Sequence, residues 1–304
     1  MHCSCASPAR PVSILLNQFV HSAKSRLRKP YRELRKSYLL QFRGFDSAQL
    51  VRLLRRCGVE PSDAICVHSG MSGFGGFRGN VAEIVRAFQQ AVGERGTLIM
   101  PALSFAGSAL DYVRSGAVFD LHRTPALTGL ISEVFRRFPK VRRSLHPTHS
   151  LCISGPDASA WIGTHLEADT PCGRRSPFEH FASRDVKIVF AGTSPSTLTY
   201  FHFIEELLEP EMPFSPFTSE RFSVPYRQNG IVLPSPPMRL YDPVVSRRRA
   251  LQPLFEDLRR SGKWRTGNTG TLEVVVVRAR DVLEAARNLA SRGVYCYASA
   301  TNAE

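Results

Sequence analysis

Apolar residues recur at helical spacing through residues 46–58, where Leu50, Leu53 and Leu54 share one face and Asp46 stands where an N-cap belongs. A short apolar run at 64–68 reads as a buried strand, followed by a glycine-rich loop at 70–79. A helix at 81–92 with Asn80 as its cap comes next, then a strand at 96–101. Strand, loop, helix, strand is the signature of a layered α/β fold with parallel pairing. The pattern predicts a helix at 126–138, strands at 151–154 and 186–191, and a helix at 196–208. Proline-rich stretches at 209–217 and 233–243 interrupt it and are expected as surface loops or an antiparallel ribbon. Order returns with a helix at 246–261, a strand at 271–277 and a helix at 279–292. The fold expected is a layered α/β/α domain, with a central mostly parallel sheet and a loop-rich insertion, over residues 38–295. Residues 1–37 form an extension and 296–304 a tail.

Composition narrows the class. The 304 residues are 43% hydrophobic and 22% charged, which suits a globular chain and excludes wholesale disorder. No apolar run approaches the roughly 20 residues that span a bilayer. The stretch 12–20 is apolar but interrupted by Asn17 and Gln18, with no cleavage pattern after it, so no secretory leader is expected. The seven cysteines are odd in number and scattered, a usage that fits free thiols in the cytoplasm. Net charge is +14, and residues 24–36 carry seven basic side chains against Glu33 alone. Such a run can hold nucleic acid or an anionic membrane surface. Without a helix-turn-helix, zinc finger or aromatic RNA-binding motif, it is read as a solvated basic helix, and no nucleic-acid partner is expected.

Seven of the nine histidines lie between positions 68 and 202. Histidine is the side chain best suited to proton transfer near neutral pH. The segment Arg142 to Ser150 is the densest, and Pro147 holds His146 in extended backbone from which a ring can face a cleft. A second cluster surrounds His202, which shares a helix face with Glu206. No third metal ligand accompanies that pair, so proton chemistry explains it more simply than metal binding. The loop 70–79 matches neither the dinucleotide fingerprint nor the P-loop, which disfavours a nicotinamide cofactor and leaves room for a phosphate-bearing carrier such as coenzyme A. The nucleophile elbow G-x-S-x-G is absent, which weakens a serine hydrolase. Cys152 and Cys172 are the candidate nucleophiles of a cysteine/histidine hydrolase, and a basic, non-catalytic binding protein is the other rival.

Taken in order, these segments resemble the aminoglycoside 3-N-acetyltransferase family. The likeness rests on His68-Ser69-Gly70-Met71, on Gly96-Thr97 with Met100-Pro101, and on Phe119-Asp120 with Thr124-Pro125. Arg143-Ser144-Leu145-His146-Pro147 with Ser150, Gly173 with Ser176-Pro177, and Thr199-Tyr200-Phe201-His202 with Glu205 complete it. The resemblance implies acetyl or other acyl transfer from acyl-CoA to an amino group of an aminoglycoside or amino sugar, with no metal, by a monomer or homodimer. It further implies His146 as general base, assisted by Glu205 or, second, Asp120. His68, Ser69, Met71 and Ser144 are then expected beside the acyl-CoA, and His202 and Ser176 beside the acceptor. A net charge of +14 is an awkward host for a polycation, and Glu205, Glu206, Glu209 and Glu211 form the one acidic cluster. The charge therefore favours an anionic amino-sugar acceptor.

Overall fold

A computed structural model describes residues 33–298 apart from Arg35. Most of the expected extension, residues 1–32, lies outside the described residues, as does the chain beyond 298. Strands β1 (Ala64–Ser69), β2 (Thr97–Pro101), β4 (Arg142–Arg143), β5 (Leu151–Ser154), β6 (Lys187–Ala191), β11 (Arg265–Thr269) and β12 (Leu272–Arg278) form one sheet, ordered β11-β12-β6-β1-β2-β5-β4. Its centre is parallel, with β1 between β2 and β6, and every outer pair is antiparallel.

Strand periodicity sorts the side chains onto two faces. Cys66, Ile99, Ile188, Phe190, Val275 and Val277 point to one core, against helices Tyr200–Leu208, Gln252–Arg260 and Ala279–Ala290. Ile65, Val67, Leu98, Met100, Val189 and Val274 point to the other, against Ser47–Arg56, Val81–Val92 and Leu130–Arg136. This is the expected α/β/α layering. Asp46 and Asn80 cap their helices, each closing a capping box with Gln49 or Glu83.

Three expectations change. The helix foreseen over 246–261 is two helices, Pro243–Arg247 and Gln252–Arg260, because residues 248–250 pair instead with the chain end. The helix foreseen from 126 begins at Leu130, after Gly129 at φ +129°, a conformation that favours glycine. The tail expected from 296 is part of the domain as far as it is described. Cys296 is buried, Ala298 N–H donates to Arg248, and Tyr297 reaches into the candidate site. The proline-rich insertion supplies β7 (Phe217–Phe222) paired with β10 (Met238–Tyr241). It also supplies β8 (Pro225–Gln228) and β9 (Ile231–Pro234), which join β3 (Phe119–Asp120).

Candidate active site

Parallel strands that leave β1 in opposite directions open a crevice at their carboxyl ends, the usual ligand position in α/β sheets. Here that crevice is a cavity of about 270 Å³. Its walls are His68 and Ser69 from the end of β1, Pro101 at the end of β2 and Leu103 after it, and Thr193, Thr197 and Thr199 after β6. His68 Nε2, Ser69 Oγ and Thr199 Oγ1 are buried there without a hydrogen-bond partner. Buried polar groups are nearly always paired, so three orphans in one cavity mark a place where a ligand completes them. Burial holds the His68 imidazole down to about 3, and it stays neutral. Thr193 also lines an adjoining groove of about 830 Å³, bordered by Gly70, Ser72, Gly73, Arg259 and Trp264. The two loops at that border touch backbone to backbone. A Cβ on Gly192, at φ +66°, would stand 2.7 Å from the Gly73 Cα.

Four histidine rings form a row. His165 stacks on His146 at 4.4 Å, His146 meets His149 at 6.3 Å, and His149 meets His202 at 5.6 Å. The first three are buried, whereas His202 keeps 18% of its side chain exposed. Their partners differ as much as their access. His146 Nδ1 accepts the backbone N–H groups of His149 (3.0 Å) and Thr148 (3.3 Å). Its proton therefore sits on Nε2, which has no partner and no lone pair to offer. His202 Nδ1 is 2.7 Å from Glu205 Oε1 and donates to it, leaving the Nε2 lone pair free. Burial, then Arg249, lowers the His202 pKa below the ordinary histidine value, so its ring is neutral at pH 7.

Glu205 is fully buried and held ionised. Burial pushes its carboxyl up, but His202 and Arg249 outweigh that and leave it below the usual range. Arg249 grips both oxygens, with Nη2 to Oε1 at 2.7 Å and Nε to Oε2 at 2.8 Å, and the Tyr297 hydroxyl donates to Oε2. Its neighbour on the helix is different. Burial raises the Glu206 carboxyl to about 8, and it meets the hydroxyls of Thr170 and Tyr241 and the Cys172 N–H. Tyr241 in turn packs on His202 at 4.6 Å.

The residues expected from sequence divide accordingly. His68 and Ser69 line the cavity, whereas Met71 is half exposed on the loop beyond and borders neither pocket. Glu205 hydrogen-bonds His202, whereas the partners of His146 are Thr148 and His149. Ser144 is buried, donates to His165 Nδ1 (2.8 Å) and accepts the Leu151 N–H (2.9 Å), so it faces no ligand. Ser176 is buried and donates to the Cys172 carbonyl. Asp120 accepts the N–H groups of His122 and Arg123, closing a turn, and faces Arg227 across the insertion. Arg143 is buried and ties Ser150, Ala102 and Thr124 together. The arginine-serine-x-histidine-proline segment is thus buried from Arg143 to Pro147 apart from Leu145. Sequence reasoning missed Arg249 and Tyr297, which lie 44 and 92 residues from Glu205. Thr193, Thr197 and His165 also went unnoticed, because no local pattern points to them.

Cys152 and Cys172 are buried thiols; burial pushes Cys152 up to about 12 and Cys172 well above its ordinary value. Neither is an activated nucleophile. Among the described residues, no group of three or more histidine, cysteine or carboxylate side chains is arranged to hold a metal ion.

The family model for aminoglycoside 3-N-acetyltransferase matches residues 66–291. The chain belongs to that family. It is 30% identical over 167 residues to aminoglycoside N(3)-acetyltransferase III of Serratia marcescens, a match covering 51% of this chain and 61% of that protein. The chain thus spans about three fifths of the curated relatives it matches first. Over its fold it superposes on AAC-IIIb in its binary complex with CoASH, with a TM-score of 0.68 and 22% identity, covering 84% of this chain and 99% of that one. It superposes likewise on sisomicin-bound AAC-VIa, with a TM-score of 0.69 and 23% identity, covering 82% and 99%. Among the described residues, no helix is long and apolar enough to cross a membrane.

Proposed function

We propose that this family member transfers an acetyl group from acetyl-CoA to an amino group of an aminoglycoside or amino sugar, with His202 as general base. The observation that carries the reading is the His202–Glu205–Arg249 arrangement, on the helix whose N-cap, Thr199, lines a cavity of unpartnered polar groups. A substrate amine is largely protonated near pH 7 and must lose a proton to attack the thioester. Once that proton has gone to water, the neutral amine nitrogen bonds to the carbonyl carbon, and His202 Nε2 takes the second N–H proton, which the new amide must lose. The carbon–sulfur bond then breaks, and CoA leaves as thiolate, to be protonated by the imidazolium or by water. Glu205 fixes the His202 tautomer and stabilises the imidazolium, and the Arg249 fork keeps Glu205 from turning away. No acyl-enzyme is needed, in keeping with the inert cysteines.

The thioester end of CoA suits the small cavity, where Ser69 and Thr199 hydroxyls await an acceptor. The remainder suits the adjoining groove, where the Arg259 guanidinium lies 4.4 Å over the Trp264 ring and offers a cation and an aromatic face together. The acceptor's charge is also constrained. Glu205 is paired with Arg249, Glu209 with Arg239, and burial pushes the half-buried Glu206 carboxyl up to about 8, so the acidic cluster is mostly neutralised from within. That supports an amino sugar of low positive charge over a polycation. The test is CoA thiol release from acetyl-CoA with sisomicin, glucosamine and a nucleotide-linked amino sugar as acceptors. Acceptor-dependent release is expected, fastest with the least cationic amine. Release from none of these amines, or release by hydrolysis alone, contradicts the reading.

A further inference from the structure

The imidazole of His202 has an aromatic neighbour to which the acyl-transfer reading gives no role. The Tyr241 ring, at the end of β10, lies 4.6 Å from it at 31°, closer to stacked than to edge-on. His149 instead meets the His202 and Tyr241 rings in T-shaped contacts, at 5.6 Å and 5.5 Å. Tyr241 is buried and held by several partners. Its ring stacks on Phe217 at 5.1 Å, the Arg249 guanidinium lies 5.2 Å over it, and its hydroxyl donates to Glu206. Glu206 is itself fixed, because it also accepts the Thr170 hydroxyl and the Cys172 N–H. A ring tethered in this way is not free to turn away from His202.

What that contact does follows from the charges around the base. Among the described residues, the titratable groups facing His202 besides Tyr241 are Glu205, Arg249 and His149. Glu205 favours the charged form of His202, Arg249 opposes it, and burial keeps His149 neutral. Both Glu205 oxygens are gripped by Arg249, so carboxylate and guanidinium largely cancel at the imidazole. A proton arriving on a ring that is mostly out of water then needs a further stabiliser. The face of an aromatic ring is electron-rich and attracts a cation within about 6 Å of its centre. We infer that Tyr241 is a positioning residue for the base, whose ring holds the His202 imidazole in place and stabilises its imidazolium form. Glu206 fixes that ring through the hydroxyl. The inference rests on the reading of His202 as base for its effect on rate, but not for its effect on the protonation of His202.

The test compares Tyr241→Phe with a variant that carries pentafluorophenylalanine at the same position. The fluorinated ring keeps nearly the same shape but reverses the charge of its face. Both variants lack the hydroxyl and leave Glu206 its Thr170 and Cys172 partners, so they are expected to fold and to melt together. The protonation of His202 is followed by nuclear magnetic resonance in the full chain labelled with nitrogen-15 histidine, its signal assigned by loss in His202→Ala. The fluorinated variant is expected to titrate about one pH unit lower than Tyr241→Phe. The acid limb of kcat/KM is expected to move with it. Packing alone depends on shape, so equal His202 pKa values in the two variants, or a higher one in the fluorinated variant, overturn the inference. A pKa that moves while the acid limb stays in place supports the role of Tyr241 and contradicts His202 as base.

Discussion

His146 and His202 belong to one row of four rings, and the difference between them is whether the protein makes Nδ1 an acceptor or a donor. Around His146, two backbone N–H groups take the Nδ1 lone pair and the fold closes over the ring. Around His202, a carboxylate accepts the hydrogen bond from Nδ1–H, and Nε2 keeps its lone pair on a partly exposed ring. The first arrangement leaves the ring no lone pair to offer; the second leaves one free, as the proposed base requires. Residue type and sequence motif do not separate the two. Hydrogen-bond partners do.

The largest expected effect follows from removing the base. His202→Ala should lower kcat for acetyl transfer by roughly two to four orders of magnitude with acetyl-CoA affinity retained, read by CoA release and by calorimetry. Glu205→Gln should cost less in rate, since the ring stays, but it leaves the Arg249 guanidinium buried without its counter-charge. A lower melting temperature should therefore accompany its slower turnover.

His146→Ala sharpens the contrast from the other side. It strips the acceptor from two buried amides and opens a cavity, so urea denaturation should show a loss of about 2–4 kcal/mol. Its kcat under conditions where it stays folded should fall by less than about tenfold. The smallest effect belongs to the cavity. Thr199→Val keeps the volume and removes one orphan hydroxyl, so the KM for acetyl-CoA should rise roughly three- to tenfold with kcat little changed.

How much of this was legible in the sequence depends on range. The Asp46 and Asn80 caps and strands β1, β2, β5 and β6 are local signals, and each was readable where it occurs. Strand β11 was not, because Arg265–Thr269 is a polar, mostly exposed edge with no alternation to read. The segments of the site were legible, whereas the hydrogen-bond partners within it were not. Arg143, Ser144, His146 and Ser150 look like chemistry because they are polar and clustered, yet their hydrogen bonds all close inward. On the 200–208 helix, spacing suggested the His202–Glu206 pair. The chain uses Glu205 instead, because Arg249 and Tyr297 wait on that side of the helix and Tyr241 and Thr170 on the other. Partners that distant in sequence leave no local trace.

The central claim is that His202 carries the transferred proton, and the pH dependence of kcat/KM tests it most directly when wild type, His146→Asn and His202→Ala are measured side by side. A base must be unprotonated, so the rate falls as pH drops through its pKa. Because burial lowers the His202 pKa, that acid limb should lie below the ordinary histidine value of 6.5. Asparagine keeps an acceptor near the place of the His146 Nδ1. The account predicts the same limb in wild type and His146→Asn, and its disappearance from the residual activity of His202→Ala. A limb that vanishes in His146→Asn and survives in His202→Ala would contradict it.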